Sequence, residues 1–155
     1  MTHTRNVPSH LAEELARTDQ ICMDFIHGVI FLALSNARDT TFPETHLLSC
    51  IADDYLETAL AIPLMAREGI HNACRRELRF LLEMSIKLSF VQQAAEKSSI
   101  EEKISMFRSD LDSPSISLRK RVQLPLFPEL EGKNFLEHVG QLYGETSNYV
   151  HLTTV

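Results

Sequence analysis

The chain has 155 residues, of which 44% are hydrophobic and 23% charged, and its formal net charge is −6 at pH 7. This size and composition are typical of one soluble globular domain whose core needs neither metal nor disulfide bonds. The net negative charge argues against a protein that binds nucleic acid over its whole surface. A local basic cluster is nevertheless formed by Arg119, Lys120 and Arg121. Because Gly and Pro are few, we predict an all-α fold.

The three cysteines are Cys22, Cys50 and Cys74. An odd number at wide spacing fits neither a disulfide framework nor paired zinc-binding CxxC motifs, so we expect buried free thiols in a reducing cytosol. The most apolar stretch, from Ile26 to Leu34, is too short to span a bilayer and follows acidic residues. We therefore predict a cytoplasmic protein with no membrane segment.

Two long helices are predicted in the first part of the chain. The first runs from about Ser9 to Asn36, and its apolar pattern broadens towards the end, so its second half should be the more deeply buried. The second begins near Pro43, which suits a first helical turn. It should kink or end near Ile62, because Pro63 has no backbone N–H to donate.

The strongest helical pattern follows, from His71 to about Lys97. A capping box of Ser99 and Glu102 then predicts a short helix over about residues 100–111.

Residues 112–132 hold three prolines and are predicted to form a long irregular connection whose apolar residues pack on the body. A last helix should begin near Asn134. We therefore predict a single domain over residues 1–155, built as a bundle of four to five helices, and leave open whether the last helix continues beyond Val155.

A first candidate functional pair lies in the segment RELRFLLEMSIKL of the third long helix. Arg79 and Glu83 stand four residues apart, beside the apolar stripe. In a partly buried pair that faces a cleft, the guanidinium could hold phosphate and the carboxylate could orient it. The alternative is a surface ion pair worth roughly 0.3–0.5 kcal/mol.

The final helix places Tyr143, Ser147 and His151 at intervals of four within the segment YGETSNYVHLTTV. Residues at this spacing stack along one side of a helix. An imidazole there could act as a general acid or base near neutral pH, with the hydroxyl groups fixing its orientation. The alternative is a polar seam between helices.

Metal binding and nucleotide loops have little support in the sequence. No hydrolase elbow, phosphate-binding loop or dinucleotide fingerprint is present. Two incomplete sets of metal-ligand residue types occur: Asp24 with His27, and His46 with Cys50 near Asp53 or Asp54. Since a metal centre in a helical bundle draws ligands from several helices, we predict no metal and no cofactor, and a metal-dependent bundle enzyme is the third-ranked alternative.

The segments RFLLE, from Arg79 to Glu83, and YGETSNYVH, from Tyr143 to His151, together resemble the HEPN superfamily. The resemblance is to bacterial members with an Arg-x-x-x-Glu helix and a late Tyr-x-x-x-Ser-x-x-x-His segment, and it covers about residues 10 to 155. Similar families include abortive-infection and toxin–antitoxin proteins. Many are metal-independent endoribonucleases, whereas others have lost catalysis and serve as interaction or RNA-binding modules.

The resemblance implies RNA as the substrate, a homodimer, and an antitoxin or other protein partner. It also implies roles for the two segments during attack of the RNA 2′-hydroxyl on the adjacent phosphate. His151 would move protons and Arg79 would stabilise the developing charge. The orienting residues would be Glu83, Tyr143 and Ser147.

One feature departs from the family pattern. Ribonuclease members carry an Arg four to six residues before the His, whereas residues 144–150 hold none. Two hypotheses follow: Arg79 supplies the cation from the neighbouring helix, or an Arg–His pair lies beyond Val155. A catalytically inactive interaction module with the same fold is the second-ranked function.

Overall fold

A computed structural model describes residues 8–109 and 115–151. Within these ranges the chain is helical and has no β-strand, which confirms the predicted all-α bundle. No helix in the described ranges is both long and apolar enough to cross a membrane. The elements are α1 (Ser9–Asn36), α2 (Phe42–Thr45), α3 (Leu48–Arg67), α4 (His71–Ala94), α5 (Ile100–Ser109), a 3₁₀ helix (Ser115–Arg121) and α6 (Glu129–His151).

The long helices pack on one another in chain order. The α3 helix packs against both α1 and α4, and α4 also contacts α5, the 3₁₀ helix and α6. Two contacts show that α6 runs antiparallel to α4. Gln123, before α6, exchanges two hydrogen bonds with Gln93 at the end of α4, whereas Tyr143 in α6 meets Arg79 in the first half of α4. Thus α1 and α6 lie at opposite edges of the array.

The apolar core lies between α1, α3 and α4. Leu47, Ala59 and Val91 are almost completely buried there. The fully buried Lys103 ties α5 to this core, because its Nζ donates hydrogen bonds to the carbonyl groups of Thr45 and Glu96. A buried ammonium group needs such acceptors to offset its loss of hydration.

A helix begins near Pro43, as predicted, but it is interrupted after four residues, and the predicted end near Ile62 is wrong. Residues 42–45 form the separate helix α2, and His46 is extended, with φ −121° and ψ 120°. The α3 helix then passes through Pro63 and ends at Arg67. Proline removes one backbone hydrogen bond, and burial of the neighbouring residues Ala59 and Ile62 stabilises the helix across that position.

The predicted deeper burial of the second half of α1 holds for Ile26 and Val29, two of the three buried residues of this helix, but not for the end of the helix. Ile30, Phe31 and Leu34 are exposed, whereas Cys22 and Ile26 are buried. Because α1 packs mainly on α3, only one of its faces is covered. An apolar pattern that spreads around the helix therefore leaves apolar side chains in contact with solvent.

The connection before the last helix is more regular than predicted. It contains the 3₁₀ helix, and α6 begins at Glu129, directly after Pro128, a residue that suits a helix start. Leu126 and Leu130 are exposed, so the expected packing of this segment holds only in part, through Leu124. The predicted helix over 100–111 is described as far as Ser109; residues 110–114 lie outside the described ranges.

All three cysteines are free thiols, as predicted. Cys22 is buried and Cys74 is half-buried, but Cys50 is exposed on the outer side of α3, so the expectation of burial is wrong for that residue.

Candidate functional site

Three of the five predicted site residues meet in one hydrogen-bonded triad. Arg79 Nε donates to Glu83 Oε1 at 3.0 Å, and Arg79 Nη2 donates to the Tyr143 hydroxyl oxygen at 2.7 Å. The Tyr143 hydroxyl donates in turn to Glu83 Oε1 at 2.7 Å. The triad therefore closes on itself and links α4 to α6.

Local helix geometry explains half of this arrangement. Residues four apart on a helix lie on the same side, so α4 by itself places Glu83 one turn beyond Arg79. The antiparallel packing of α6 adds Tyr143, whose ring centre lies 4.8 Å from Arg79 Cζ. That distance is within the range of a cation–π interaction, so both the ring and the hydroxyl of Tyr143 hold the guanidinium.

The surroundings of Tyr143 and Arg79 favour the protonated form of each side chain. Burial, together with the hydrogen bond to the Glu83 carboxylate and its charge, raises the pKa of Tyr143, and the Arg79 charge only partly opposes this. Burial alone would lower the pKa of Arg79, but Glu83 and Tyr143 outweigh it and raise that pKa. The phenol is therefore neutral and acts as a donor, and the guanidinium is charged.

The triad borders a shallow cavity of about 230 Å³, lined by Arg76, Arg79, Phe80 and Glu83. The Arg79 and Glu83 side chains are 25% and 30% exposed. Arg79 uses two of its five N–H bonds within the triad. With the exposed Arg76 at its rim, the cavity has two cations and one anion, which suits an anionic ligand such as phosphate.

Ser147 and His151 are the predicted site residues whose side chains lie outside the part that the structure describes. The helical backbone of α6 includes both positions and ends at His151. Eight residues of helix place the His151 Cα about 12 Å along the axis from Tyr143. Since α6 is antiparallel to α4, this stretch runs towards the beginning of α4. The pairing of Arg79 with His151 stays a prediction.

Two further residues at this site were not singled out from the sequence. Arg76 lies one helical turn before Arg79, so its position at the cavity follows from the same spacing rule. Thr146 is buried, and its hydroxyl donates to the Tyr143 carbonyl at 2.9 Å. This contact fixes the α6 backbone next to Tyr143, and a threonine within a helix gives no sequence signal for such a role.

The residues considered for metal binding do not assemble into a site. No group of three or more His, Cys, Asp or Glu side chains comes together among the described residues. The His46 imidazole stacks on Phe42, and its Nδ1 accepts the backbone N–H of Leu48 at 3.1 Å. Asp24 accepts a hydrogen bond from Gln20 on the exposed side of α1. Both groups have local structural roles.

A larger apolar cavity, of about 460 Å³, lies between α1, α3 and α4. It contains two of the thiols, Cys22 and Cys74, and burial raises the pKa of both. Thiols with raised pKa are poor nucleophiles at neutral pH, since the thiolate is the reactive form. The chemistry-bearing groups therefore lie at the triad, on the side of α4 that faces α6.

No family model, curated protein or solved structure matches this chain.

Proposed function

We propose that this chain is a HEPN-like helical protein that binds the phosphodiester backbone of RNA next to the Arg79–Glu83–Tyr143 triad. The proposed activity is metal-independent endoribonuclease cleavage in a bacterial defence or toxin–antitoxin system. As in the families that the sequence resembles, the proposal includes a cytoplasmic homodimer with an antitoxin or other protein partner. The observation that supports it is an arginine held rigidly by two helices at the edge of an open cavity.

The proposed cleavage depends on the Arg79 guanidinium, which is held in one position. Because Glu83 and Tyr143 hold the guanidinium in place, little reorganisation is needed when negative charge develops on a bound phosphate. Arg76, at the cavity rim, would add a second contact to the RNA backbone. In this proposal His151 takes the proton of the 2′-hydroxyl and later returns a proton to the leaving oxygen.

The closed triad also favours a second candidate function, a catalytically inactive interaction or RNA-binding module. Glu83 neutralises the Arg79 charge, and the Tyr143 hydroxyl is both an acceptor and a donor within the triad. A network in which each polar group forms hydrogen bonds with the other members is typical of side chains that fix the packing of helices.

RNA cleavage in EDTA separates these functions. Purified wild-type protein is incubated with a labelled single-stranded RNA and a labelled hairpin RNA, beside His151→Ala, Arg79→Ala and Arg108→Ala. If the protein is a nuclease, the wild type cleaves without metal, and His151→Ala and Arg79→Ala each lower the rate by about 100-fold or more. Arg108→Ala, an exposed arginine on α5, is the matched control and should leave the rate unchanged.

Absence of cleavage by the wild type would contradict the nuclease and favour the module. RNA binding is then measured by fluorescence anisotropy with the same variants, and Arg76→Ala tests the cavity without breaking the triad. Weaker binding by Arg76→Ala with unchanged binding by Arg108→Ala would support an RNA-binding module. If neither arginine affects binding, RNA is not the ligand of this site.

A further inference from the structure

The apolar cavity between α1, α3 and α4 is much larger than the gaps of ordinary helix packing. Its volume is about 460 Å³, whereas protein interiors contain few voids larger than a water molecule. Small side chains explain its size, because Ala59, Ala66, Cys74 and Ser85 project into it from α3 and α4. Ligand cavities in proteins range from about 300 to about 1,000 Å³ and are lined mainly by apolar side chains. This cavity therefore has the size and the lining of a ligand site.

The cavity is elongated along the helices. Its lining extends over residues 18–25 of α1, 59–66 of α3 and 74–85 of α4. At about 1.5 Å per residue, these stretches are about 10 Å, about 10 Å and about 16 Å long. Ile21 is the exposed member of the lining, at 59%, so the cavity opens to solvent at α1. This form suits a chain-shaped molecule.

The side chains that line the cavity are uncharged. They are aliphatic and aromatic groups, two thiols and the hydroxyl groups of Thr18 and Ser85. Asp19 and Arg67, which lie next to lining residues in the chain, form an ion pair with each other. A carboxylate or ammonium group inside the cavity would lose its hydration without gaining an opposite charge, which is costly. The lining therefore favours a neutral ligand.

Two neighbouring hydroxyl groups mark one end of the cavity. Ser85 belongs to the lining, and the hydroxyl of Tyr55 lies beside it. Tyr55 is 3% exposed, and its hydroxyl has no hydrogen-bond partner of regular geometry among the described residues. The Thr18 hydroxyl, by contrast, donates to the Glu14 carbonyl at 2.9 Å. Because a hydroxyl group can donate one hydrogen bond and accept two, Ser85 can bond a ligand oxygen and the Tyr55 hydroxyl together.

We propose that this cavity binds a neutral aliphatic molecule with one oxygen atom, such as a medium-chain alcohol or aldehyde. The alkyl chain lies along the helices, and the ligand oxygen forms a hydrogen bond with the Ser85 hydroxyl. The Tyr55 hydroxyl donates to Ser85 and so gains a partner. Burial of the alkyl chain supplies most of the affinity, because each CH₂ group removed from water is stabilising. The hydrogen bond selects the polar group of the ligand.

The proposal is independent of the proposed RNA function. The cavity lies on the side of α4 that faces α1 and α3, whereas Arg79 and Glu83 bond Tyr143 on the side that faces α6. Binding to the cavity is therefore measured without RNA. Failure of either proposal leaves the other unaffected.

The first test is equilibrium dialysis of the purified full chain against labelled octanol or labelled octanoate. We expect saturable binding of one octanol molecule per chain. The dissociation constant of octanoate should be at least about tenfold higher, because its carboxylate loses hydration in the cavity. No saturable binding of octanol, or octanoate bound as tightly as octanol, would overturn the proposal.

Two pairs of variants locate the site. Ala66→Leu should raise the dissociation constant of octanol by at least about tenfold, because the leucine takes the space of several ligand CH₂ groups. Its matched control is Ala61→Leu, a half-buried position of α3 outside the lining, which should bind octanol as the wild type does. Ser85→Ala should raise the constant about fivefold through loss of one hydrogen bond. Ser89→Ala, one turn further along α4 and outside the lining, should leave it unchanged.

The cysteines report on the cavity without any substitution. Cys22 and Cys74 belong to its lining, whereas Cys50 is exposed on α3. Octanol at about ten times its dissociation constant should slow the reaction of Cys22 and Cys74 with methyl methanethiosulfonate about tenfold, because only the ligand-free fraction reacts. The rate at Cys50 should not change, and mass spectrometry of the peptides separates the three sites. Unchanged rates at Cys22 and Cys74, or equal affinity of Ala66→Leu and Ala61→Leu for octanol, would show that octanol binds elsewhere and contradict the proposed site.

Discussion

Tyr55 and Tyr143 are both buried tyrosines, but their hydroxyl groups have opposite surroundings. The Tyr143 hydroxyl donates to Glu83 and accepts from Arg79. The Tyr55 hydroxyl has no hydrogen-bond partner of regular geometry among the described residues, and burial raises its pKa to about 12, with only the nearby Ser85 hydroxyl acting in the other direction. Removal of the same oxygen atom should therefore have opposite effects at the two positions.

The prediction is that Tyr55→Phe raises the free energy of unfolding by about 1 kcal/mol, because a buried unpaired polar group is removed. Tyr143→Phe should lower it by about 1 kcal/mol, because two hydrogen bonds are lost. Urea denaturation followed by circular dichroism measures both, and each variant is the control for the other. A loss of 1 kcal/mol or more in Tyr55→Phe would show that Ser85 does bond this hydroxyl.

His46 is a second residue whose surroundings set a measurable property. Burial, assisted by the charge of Lys103, lowers the pKa of His46 from 6.5. Its neutral ring is useful in the fold, because Nδ1 accepts the N–H of Leu48 at the start of α3. The pKa of His46 is thus lower in the folded than in the unfolded state. Below pH 6.5 the unfolded state therefore binds more protons. As a result, the free energy of unfolding falls as the pH falls through the folded-state pKa.

His46→Asn tests this dependence, because the asparagine Oδ1 can accept the same N–H but does not titrate. Unfolding by urea is compared at about pH 7 and about pH 5, the range in which histidine titrates. The wild type should lose more stability on acidification than His46→Asn does. If the wild type and His46→Asn lose equal stability on acidification, His46 has no role in this pH dependence, whatever other groups contribute.

At the scale of elements, the basic cluster at the 3₁₀ helix has a packing role. The Arg121 guanidinium lies 4.5 Å from the centre of the Phe90 ring on α4. Arg119 Nε donates to the Leu136 carbonyl on α6 at 3.1 Å and crosses the helix at Gly140. A Cβ at Gly140 would lie 2.6–2.7 Å from the Arg119 guanidinium, so any side chain there would displace that group. These two arginines join elements together.

Gly140→Ala should therefore leave the free energy of unfolding of the otherwise wild-type protein unchanged. Alanine is favoured over glycine within a helix by about 1 kcal/mol, but its methyl group displaces Arg119 and costs the bond to Leu136. When Arg119 is already replaced by alanine, Gly140→Ala should raise the free energy of unfolding by the full amount of about 1 kcal/mol. The free energies of unfolding of the four proteins form a double-mutant cycle, and an equal gain in both backgrounds would contradict the contact.

The bounds of α1 and α4 could be predicted because their patterns are long and periodic, and local backbone geometry alone sets that period. The break between α2 and α3 could not be predicted from Pro43 and Pro63. His46 is extended because its ring packs on Phe42 and accepts the N–H of Leu48, and α3 continues through Pro63 because its neighbours are buried. Both outcomes depend on contacts that a local pattern does not contain.

At the scale of the whole molecule, the order of helix packing separates two surfaces. The triad connects α4 to α6 at one edge, and the exposed apolar side chains of Ile30, Phe31 and Leu34 on α1 lie at the other edge. The apolar pattern of α1 predicted burial of its second half. Because a helix at an edge has neighbours on only one side, Ile26 and Val29 are buried there but the end of the helix is exposed.

The candidate site shows the same division between local and tertiary information. The spacing of Arg79 and Glu83 follows from helical periodicity, so their pairing could be predicted from the sequence. The approach of Tyr143, 60 residues from Glu83 along the chain, requires the antiparallel packing of α6 on α4. The sequence placed Tyr143 in the same group only through the resemblance of its last helix to a known pattern.

The sequence by itself determined the all-α class, the approximate extent of α1 and α4, and the pairing of Arg79 with Glu83. Each of these depends on interactions between residues within about one helical turn. Only the tertiary structure decided that Tyr143 completes the triad, that Arg119 and Arg121 pack against neighbouring helices, and that the end of α1 is exposed. These features depend on which helix lies beside which, and periodicity within one helix carries no information about the identity of its neighbour.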